Sequence, residues 1–286
     1  MGRGGAAAPD LAVGMSGPSP VRALNRWHRA LTWAATVLAA LALLGCERAL
    51  EVERLEPLVL DIWPHDPDAF TQGLVWDDGR FLESTGRYGH SDLREVDAVS
   101  GEVLRTRPLS EREFAEGLAL VDDRLIQLTY REGVAHVYER DTFEPVGRFR
   151  YGGEGWGLCY DGKALWMTDG SDRLTRRDPD TFEVRSSVQV TLDGRGVARL
   201  NELACVGEHV YANVWMSDEL MRIRTTDGRV DAVIDASSLV PDDPRVRSDP
   251  DAVLNGVAFD PTGDRFFLTG KLWDVMYVVR FETPAR

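Results

Sequence analysis

Apolar and polar positions alternate along this chain in short runs that stop at turns rich in Asp and Gly, and one run–turn–run pattern occurs five times. The segments are Phe70–Gly86, Phe114–Tyr130, Glu154–Gly170, Leu200–Trp215 and Leu254–Lys271. In the first, Leu74-Val-Trp76 meets Asp77-Asp-Gly79 and is followed by Phe81-Leu82; in the second, Leu118-Ala-Leu-Val121 meets Asp122-Asp123 and is followed by Leu125-Ile126. A period of two bounded by such turns predicts β-hairpins. Third strands with their own turns are expected in Leu93–Gly101, Ala135–Phe143, Leu174–Phe182 and Leu220–Gly228, and fourth strands at places such as Val103–Pro108 and Val184–Val190. The last repeat runs through Met276–Phe281 and stops.

With Gly73, Gly117, Gly157, Glu202 and Gly256 taken as equivalent, the repeats are spaced by 44, 40, 45 and 54 residues. Four strands in every ~40–50 residues is the period of a β-propeller. The expected fold is therefore all-β: a five-bladed β-propeller of four-stranded antiparallel blades over residues 58–286. Leu58–Trp63 would lie beside Met276–Phe281 and close the ring, which removes the open sheet edges of a linear array. The longest spacing contains Ser237–Pro250, read as a surface loop.

The first 45 residues do not share this pattern. Arg22, Arg26, His28 and Arg29 precede an apolar run from Ala30 to Leu44, which ends in Leu43-Leu-Gly-Cys46. Fifteen residues are short for a bilayer span, which needs about 20. A basic flank, a short apolar core and a small residue before a cleavage point predict a secretory signal over residues 1–45, with Met15 an alternative start. The ending resembles a bacterial lipobox, which implies lipidation of Cys46 and a cell-envelope location on the periplasmic or extracytoplasmic side. An uncleaved anchor helix is the alternative. Residues 46–57, rich in Glu and Arg, are expected to be a tether.

Composition narrows the function. Hydrophobic residues make up 43% and charged ones 28%, enough to build a core and too mixed for wholesale disorder. The net charge is −14, and −17 without residues 1–45, which hold four Arg and one Asp. That excludes a phosphate-neutralising nucleic-acid binder and favours cationic partners such as peptide amino termini. Cys159 and Cys205 both fall in apolar strand patterns. An envelope location permits a disulfide, but two buried free thiols are the favoured reading. Zinc-ligand spacings are absent, so no metal cofactor is expected beyond an open question about structural calcium.

In a propeller the first strand of each blade lines the central channel. Positions just before the equivalent glycines then meet at one mouth: Gln72, Glu116, Trp156, Asn201 and Asn255. The asparagines could merely satisfy backbone groups at the strand starts. Trp156 is harder to explain that way, because a large ring at a channel mouth needs something to stack on. The ends of the second strands form another ring, which includes Tyr130, Asn213-Val-Trp215 and Thr269-Gly-Lys271; taken alone, Lys271 reads as an exposed lysine. The many Asp residues near turns are explained by turn chemistry.

These motifs are similar to those of the glutaminyl-peptide cyclotransferases of the plant and bacterial five-bladed propeller type. The resemblance rests on Phe70-Thr-Gln-Gly-Leu, Glu83-Ser-Thr-Gly, Phe114-Ala-Glu-Gly-Leu, Glu154-Gly-Trp-Gly-Leu, Asp169-Gly-Ser, Leu200-Asn-Glu-Leu, Tyr211-Ala-Asn-Val-Trp, Asn255-Gly-Val-Ala and Thr269-Gly-Lys-Leu-Trp, in order over residues 58–281. It implies conversion of an N-terminal glutamine of peptides or proteins into pyroglutamate with release of ammonia, by a monomer that needs no zinc. It also implies catalytic roles for Glu116 and Lys271 and substrate contacts for Gln72, Trp156, Asn201 and Trp215; Asn255 joins them from its ring position. Three departures stand out: Tyr130 replaces a Trp, Ala204 a Glu, and Asp274 a Pro. Two rivals remain at this point. A non-catalytic envelope propeller would act as a binding or scaffold module, and a calcium-dependent lactonase-like propeller would need several carboxylates on the axis, where these rings supply only Glu116.

Overall fold

The computed structural model describes residues 51–284 together with Met1, Gly2 and Gly14. The expected signal segment and Cys46 lie outside the described residues. After β1 (Glu53–Pro64), three antiparallel sheets of four consecutive strands follow. The first is β2 (Thr71–Asp77), β3 (Arg80–Thr85), β4 (Asp92–Asp97) and β5 (Val103–Pro108). The second is β6 (Ala115–Val121), β7 (Arg124–Thr129), β8 (Val134–Glu139) and β9 (Pro145–Arg150). The third is β10 (Leu158–Tyr160), β11 (Leu165–Met167), β12 (Arg173–Arg177) and β13 (Val184–Gln189). A small hairpin of β14 (Thr191–Leu192) and β15 (Arg195–Gly196) comes next; its turn residues Asp193 and Gly194 both have positive φ, as a tight hairpin turn requires. The chain then forms β16 (Leu200–Val206), β17 (His209–Val214), β18 (Glu219–Arg224) and β19 (Val230–Asp235), and ends in β20 (Leu254–Asp260), β21 (Arg265–Gly270) and β22 (Val275–Glu282).

The last seven strands join through β1, in the order β16-β17-β18-β19-β1-β22-β21-β20. Residues 53–55 run parallel to β19, and residues 56–64 run antiparallel to β22, with Pro57 opposite Phe281 and Trp63 opposite Met276. The pairing of residues 58–63 with 276–281 is the one expected. The boundary is not: the strand begins at Glu53, inside the segment expected to be a tether up to residue 57. Leu55 is the cause. It is buried opposite Ile234, while Glu53, Arg54 and Glu56 around it stay exposed.

In the first three groups the fourth strand is the most exposed. β2, β6, β16 and β20 start with four or five consecutive buried residues, whereas β5 and β9 are exposed along nearly their whole length and carry Arg105, Arg107, Arg148 and Arg150. Charged outer strands discourage pairing with other chains. Apolar side chains collect into clusters, each shared by two consecutive groups. Leu82 and Leu93 pack with Leu118 and Leu125, Ile126 and Leu128 with Leu158 and Leu165, and Trp166 and Leu174 with Leu203 and Val210. Ala232 and Ile234 pack with Leu254 and Leu268, while Phe267 and Met276 return to Leu74 and Phe81 of the first group.

The first strands approach one another so closely that side chains do not fit between them. A Cβ on Gly73 would stand 2.5 Å from the Leu118 nitrogen, and one on Gly157 would stand 2.0 Å from the Asn201 oxygen. Glu202 holds the equivalent place in the fourth group, and its carboxylate accepts hydrogen bonds from the backbone N–H of Leu74 (3.1 Å) and Val257 (2.8 Å). β2 and β20 are edge strands of their sheets, in which alternate N–H groups face away from the ladder, and Glu202 satisfies these two.

Two expectations change here. Cys159 and Cys205 form a disulfide, with Cα atoms 5.5 Å apart, rather than two free thiols. They sit on the first strands of neighbouring groups, β10 and β16, which run side by side. The Ser237–Pro250 stretch is not all loop: it holds a 3₁₀ turn at Ser237–Leu239 and a helix, α1 (Pro244–Ser248). Asp243 caps α1 by accepting from the Arg245 N–H at 2.8 Å, Pro244 supplies a helical φ at the first position, and Val246 is buried.

Candidate active site

In an antiparallel hairpin the start of one strand lies beside the end of the next. The residues at those points therefore gather at one end of the five groups. A cavity of about 280 Å³ opens there, lined by Phe70, Gln72, Arg87, Phe114, Glu116, Tyr130, Trp156, Asn201, Trp215, Asp251 and Lys271. Six of the seven residues singled out in the sequence line it: Gln72 from β2, Glu116 from β6, Trp156 just before β10, Asn201 from β16, Trp215 just after β17 and Lys271 just after β21. Asn255 is the exception. It is fully buried beneath the cavity, and its Nδ2 donates to the Thr71 carbonyl (2.9 Å) and to Gln72 Oε1 (3.2 Å). Those bonds occupy the Gln72 oxygen, so Gln72 offers its NH₂ to the cavity. Asn255 therefore orients a lining residue and does not itself line the site.

Glu116 and Lys271 are both buried. Burial pushes the Glu116 carboxyl well above the usual carboxylate range, and the Lys271 charge opposes that shift only in part. Burial likewise pushes the Lys271 ammonium down to about 8, against the pull of Glu116. Neither finds an ion-pair partner among the described residues. The lysine does not resemble the solvated side chain its type suggests: its Nζ stands 4.7 Å from the centre of the Phe70 ring, on which the Arg87 guanidinium also rests at 4.5 Å.

The aromatic walls are fixed by polar contacts behind them. Trp156 donates its Nε1–H to Glu154 at 3.1 Å, and Glu154 is held in turn by Arg131 at 2.9 Å. Arg131 lies over the Tyr130 ring at 4.4 Å and donates to its hydroxyl. Trp215 meets Trp156 edge to face, 5.7 Å between ring centres. Gly170 is essential to this wall, since a Cβ there would come within 2.5 Å of the Trp156 ring, and its φ of +80° suits glycine. Asn201 Oδ1 is buried without a hydrogen-bond partner.

Four lining residues escaped the sequence reading. Phe70 and Phe114 stand two places before Gln72 and Glu116, so repeat arithmetic could have found them. Arg87 and Asp251 lie in segments between strands that share no repeat, and no sequence signal marked them. The whole arrangement is a small chamber with aromatic walls, two carboxyls (Glu116 and Asp251), two cationic side chains (Lys271 and Arg87) and several amide groups. It is suited to holding an uncharged amide and an amine, and to moving a proton between nitrogens.

The glutamine cyclotransferase family model matches residues 32–281. The glutaminyl-peptide cyclotransferase of Arabidopsis thaliana is 39% identical over 225 residues, which is 78% of this chain and 70% of that protein. The crystal structure of Myxococcus xanthus glutaminyl cyclase is 39% identical and superposes with a TM-score of 0.76, covering 82% of this chain and all of that one.

Proposed function

The chain belongs to the glutamine cyclotransferase family, and on that premise we propose how its own residues close an N-terminal glutamine to pyroglutamate with release of ammonia. It is a glutaminyl-peptide cyclotransferase, not a non-catalytic module or a lactonase. The observation that carries the residue assignment is the meeting of Glu116 and Lys271, from distant repeats, in one buried chamber walled by Trp156, Trp215 and Phe70.

The nucleophile is the substrate's own α-amine, whose pKa near ~8 leaves a useful neutral fraction. A charged Lys271 beside an uncharged Glu116 disfavours the ammonium form and admits the neutral amine. Trp156 and Trp215 pack on the glutamine methylenes and fix the rotamer that brings the amine to the γ-carbonyl; such intramolecular positioning is a large part of the rate gain. The Asn201 and Gln72 amides donate to the substrate carboxamide. As the amine attacks, Lys271 stabilises the developing oxyanion. Glu116 gives its proton to the departing nitrogen, which leaves as ammonia, and recovers one from the ring nitrogen, so the carboxyl ends as it began. The walls exclude water and limit hydrolysis to glutamate.

For the fold we read the five groups as blades of a five-bladed propeller, the fifth being β20, β21, β22 and β1. The cyclic sharing of apolar clusters supports the ring, and the β1–β22 ladder supports its closure by the N-terminal strand. For the compartment we read a lipoprotein held at the cell envelope through Cys46. The Cys159–Cys205 disulfide supports that reading, because such bonds persist outside the reducing cytosol. In a detergent partition the mature protein should enter the detergent phase and a Cys46→Ser variant the aqueous phase; a variant that still follows detergent would point to an uncleaved anchor.

The enzymatic reading is tested by incubating the protein with a Gln-initiated dipeptide. Ammonia and a pyroglutamyl product in equal amounts are expected. A glutamyl product would make the protein an amidase, and no ammonia at all would return it to the binding modules.

A further inference from the structure

Lys271 is the first residue of the turn that joins β21 to β22. The turn has unusual backbone demands. Leu272 has a φ of +62°, costly for a branched side chain, and the Trp273 ring packs so tightly on Gly270 that a Cβ there would come within 2.2 Å. Such a conformation persists only when its surroundings hold it. Much of the hold comes from the connection between β1 and β2. The His65 N–H donates to the Asp274 carbonyl (3.0 Å), and the Leu272 N–H donates to the Ala69 carbonyl (2.7 Å). His65 Nδ1–H donates to the Trp273 carbonyl at 2.7 Å. Nε2 faces Glu83 Oε1 at 3.1 Å, which also accepts from the Thr71 hydroxyl at 2.7 Å.

His65 and Glu83 are both almost wholly buried. A buried carboxylate and imidazole are costly to desolvate, and an ion pair of this kind contributes little net stability compared with well-packed apolar residues. The chemistry described above uses neither group. Yet the pair spans the distance from β3, in the first group, to the turn that carries Lys271, in the last.

We propose that His65, held by Glu83, is a positioning residue for Lys271: by clamping the Trp273 carbonyl it fixes the turn from which the lysine reaches the reacting amide. The proposal rests on the role given to Lys271 above. It accounts for a buried charged pair at this place, where the hydrogen bond to Trp273 needs a ring locked in one orientation. Arg94, Asp66 and Asp92 extend the network on its outer side, with Arg94 bonded to both aspartates, so that Glu83 faces a cation from β4 as well as the imidazole.

A double-mutant cycle tests it. In the otherwise native protein, His65→Ala should lower kcat about 10- to 100-fold, the scale of a small misplacement of a reacting group, with KM changed much less. In a Lys271→Ala background the same substitution should change kcat less than about twofold, since there is no longer a lysine to position. A His65→Asn, Glu83→Gln double variant keeps a donor to the Trp273 carbonyl without the charged pair and should recover most of kcat; it also serves if His65→Ala does not fold. An equal fold-loss in both backgrounds, or a double variant that folds and remains as slow as His65→Ala, would overturn the positioning role. If Lys271→Ala alone leaves kcat unchanged, the assignment of Lys271 fails instead.

Discussion

Replacing Glu116 with Gln should lower kcat for ammonia release from Gln-initiated peptides by about 10²–10⁴-fold, the usual cost of losing general acid–base help. The substitution keeps the size and polarity of the side chain, so the chamber stays filled and KM should change much less than kcat. The carboxamide can still hydrogen-bond to the substrate but cannot pass a proton from the ring nitrogen to the leaving one. An Asp264→Asn control probes a turn residue with positive φ, remote from the cavity lining, and should leave kcat near its starting value. Near-native kcat in Glu116→Gln would retain the fold and the family but discard this carboxyl as the shuttle.

The second large effect is expected at Lys271. Loss of a poised charge near an oxyanion costs on the order of 10²–10³ in kcat, and Lys271→Ala should fall in that range. The pH profile distinguishes charge from packing. In the native protein kcat/KM should rise with pH as the substrate amine loses its proton near ~8. It should fall again as Lys271, pushed down to about 8, loses its own. The two limbs give a maximum close to pH 8. In Lys271→Ala the part of the falling limb that belongs to the lysine should vanish, leaving the fall that accompanies ionisation of Glu116, while the rising limb remains, because that limb belongs to the substrate. A falling limb unchanged in the variant would assign it to another group.

Much of the fold could be read from the sequence because its repeats are carried by turn chemistry and period-two alternation, both local. The ends of β5 and the pairing of residues 58–63 with 276–281 followed from that arithmetic. What escaped was set by contacts across repeats. Leu55 extends β1 back to Glu53 through a parallel pairing that no local pattern signals. The cysteines were read singly as apolar strand residues; their separation of 46 residues, one repeat, was the clue that they face each other on adjacent first strands. Asp243-Pro244 is a helix-start signal, but a stretch rich in Asp and Pro also reads as loop.

The candidate site divides in the same way. Gln72, Glu116, Trp156 and Asn201 were found because one repeat position maps to one place on the rim. Asn255 shares that position but lies beneath the cavity, where the Thr71 carbonyl accepts from its amide. Lys271 by type alone would be exposed, and only the motif around it suggested otherwise; its burial against Phe70 is a tertiary fact. Glu202 was counted as a stand-in for glycine, whereas it serves backbone N–H groups of two other sheets.

Glu116, with its carboxyl pushed well above the usual carboxylate range, is expected to hold a proton that it can hand to the leaving nitrogen. Infrared difference spectroscopy of the native protein minus Glu116→Gln at pH 7 observes that proton directly. The subtraction cancels Glu202, the other carboxyl whose pKa burial raises well above its ordinary value. The account predicts a protonated-carboxyl carbonyl band that is lost in the variant and that gives way to carboxylate bands as the pH is raised. A difference spectrum that shows only carboxylate bands at pH 7 would mean that Glu116 is already ionised beside Lys271, and would contradict the proposed order of proton transfer.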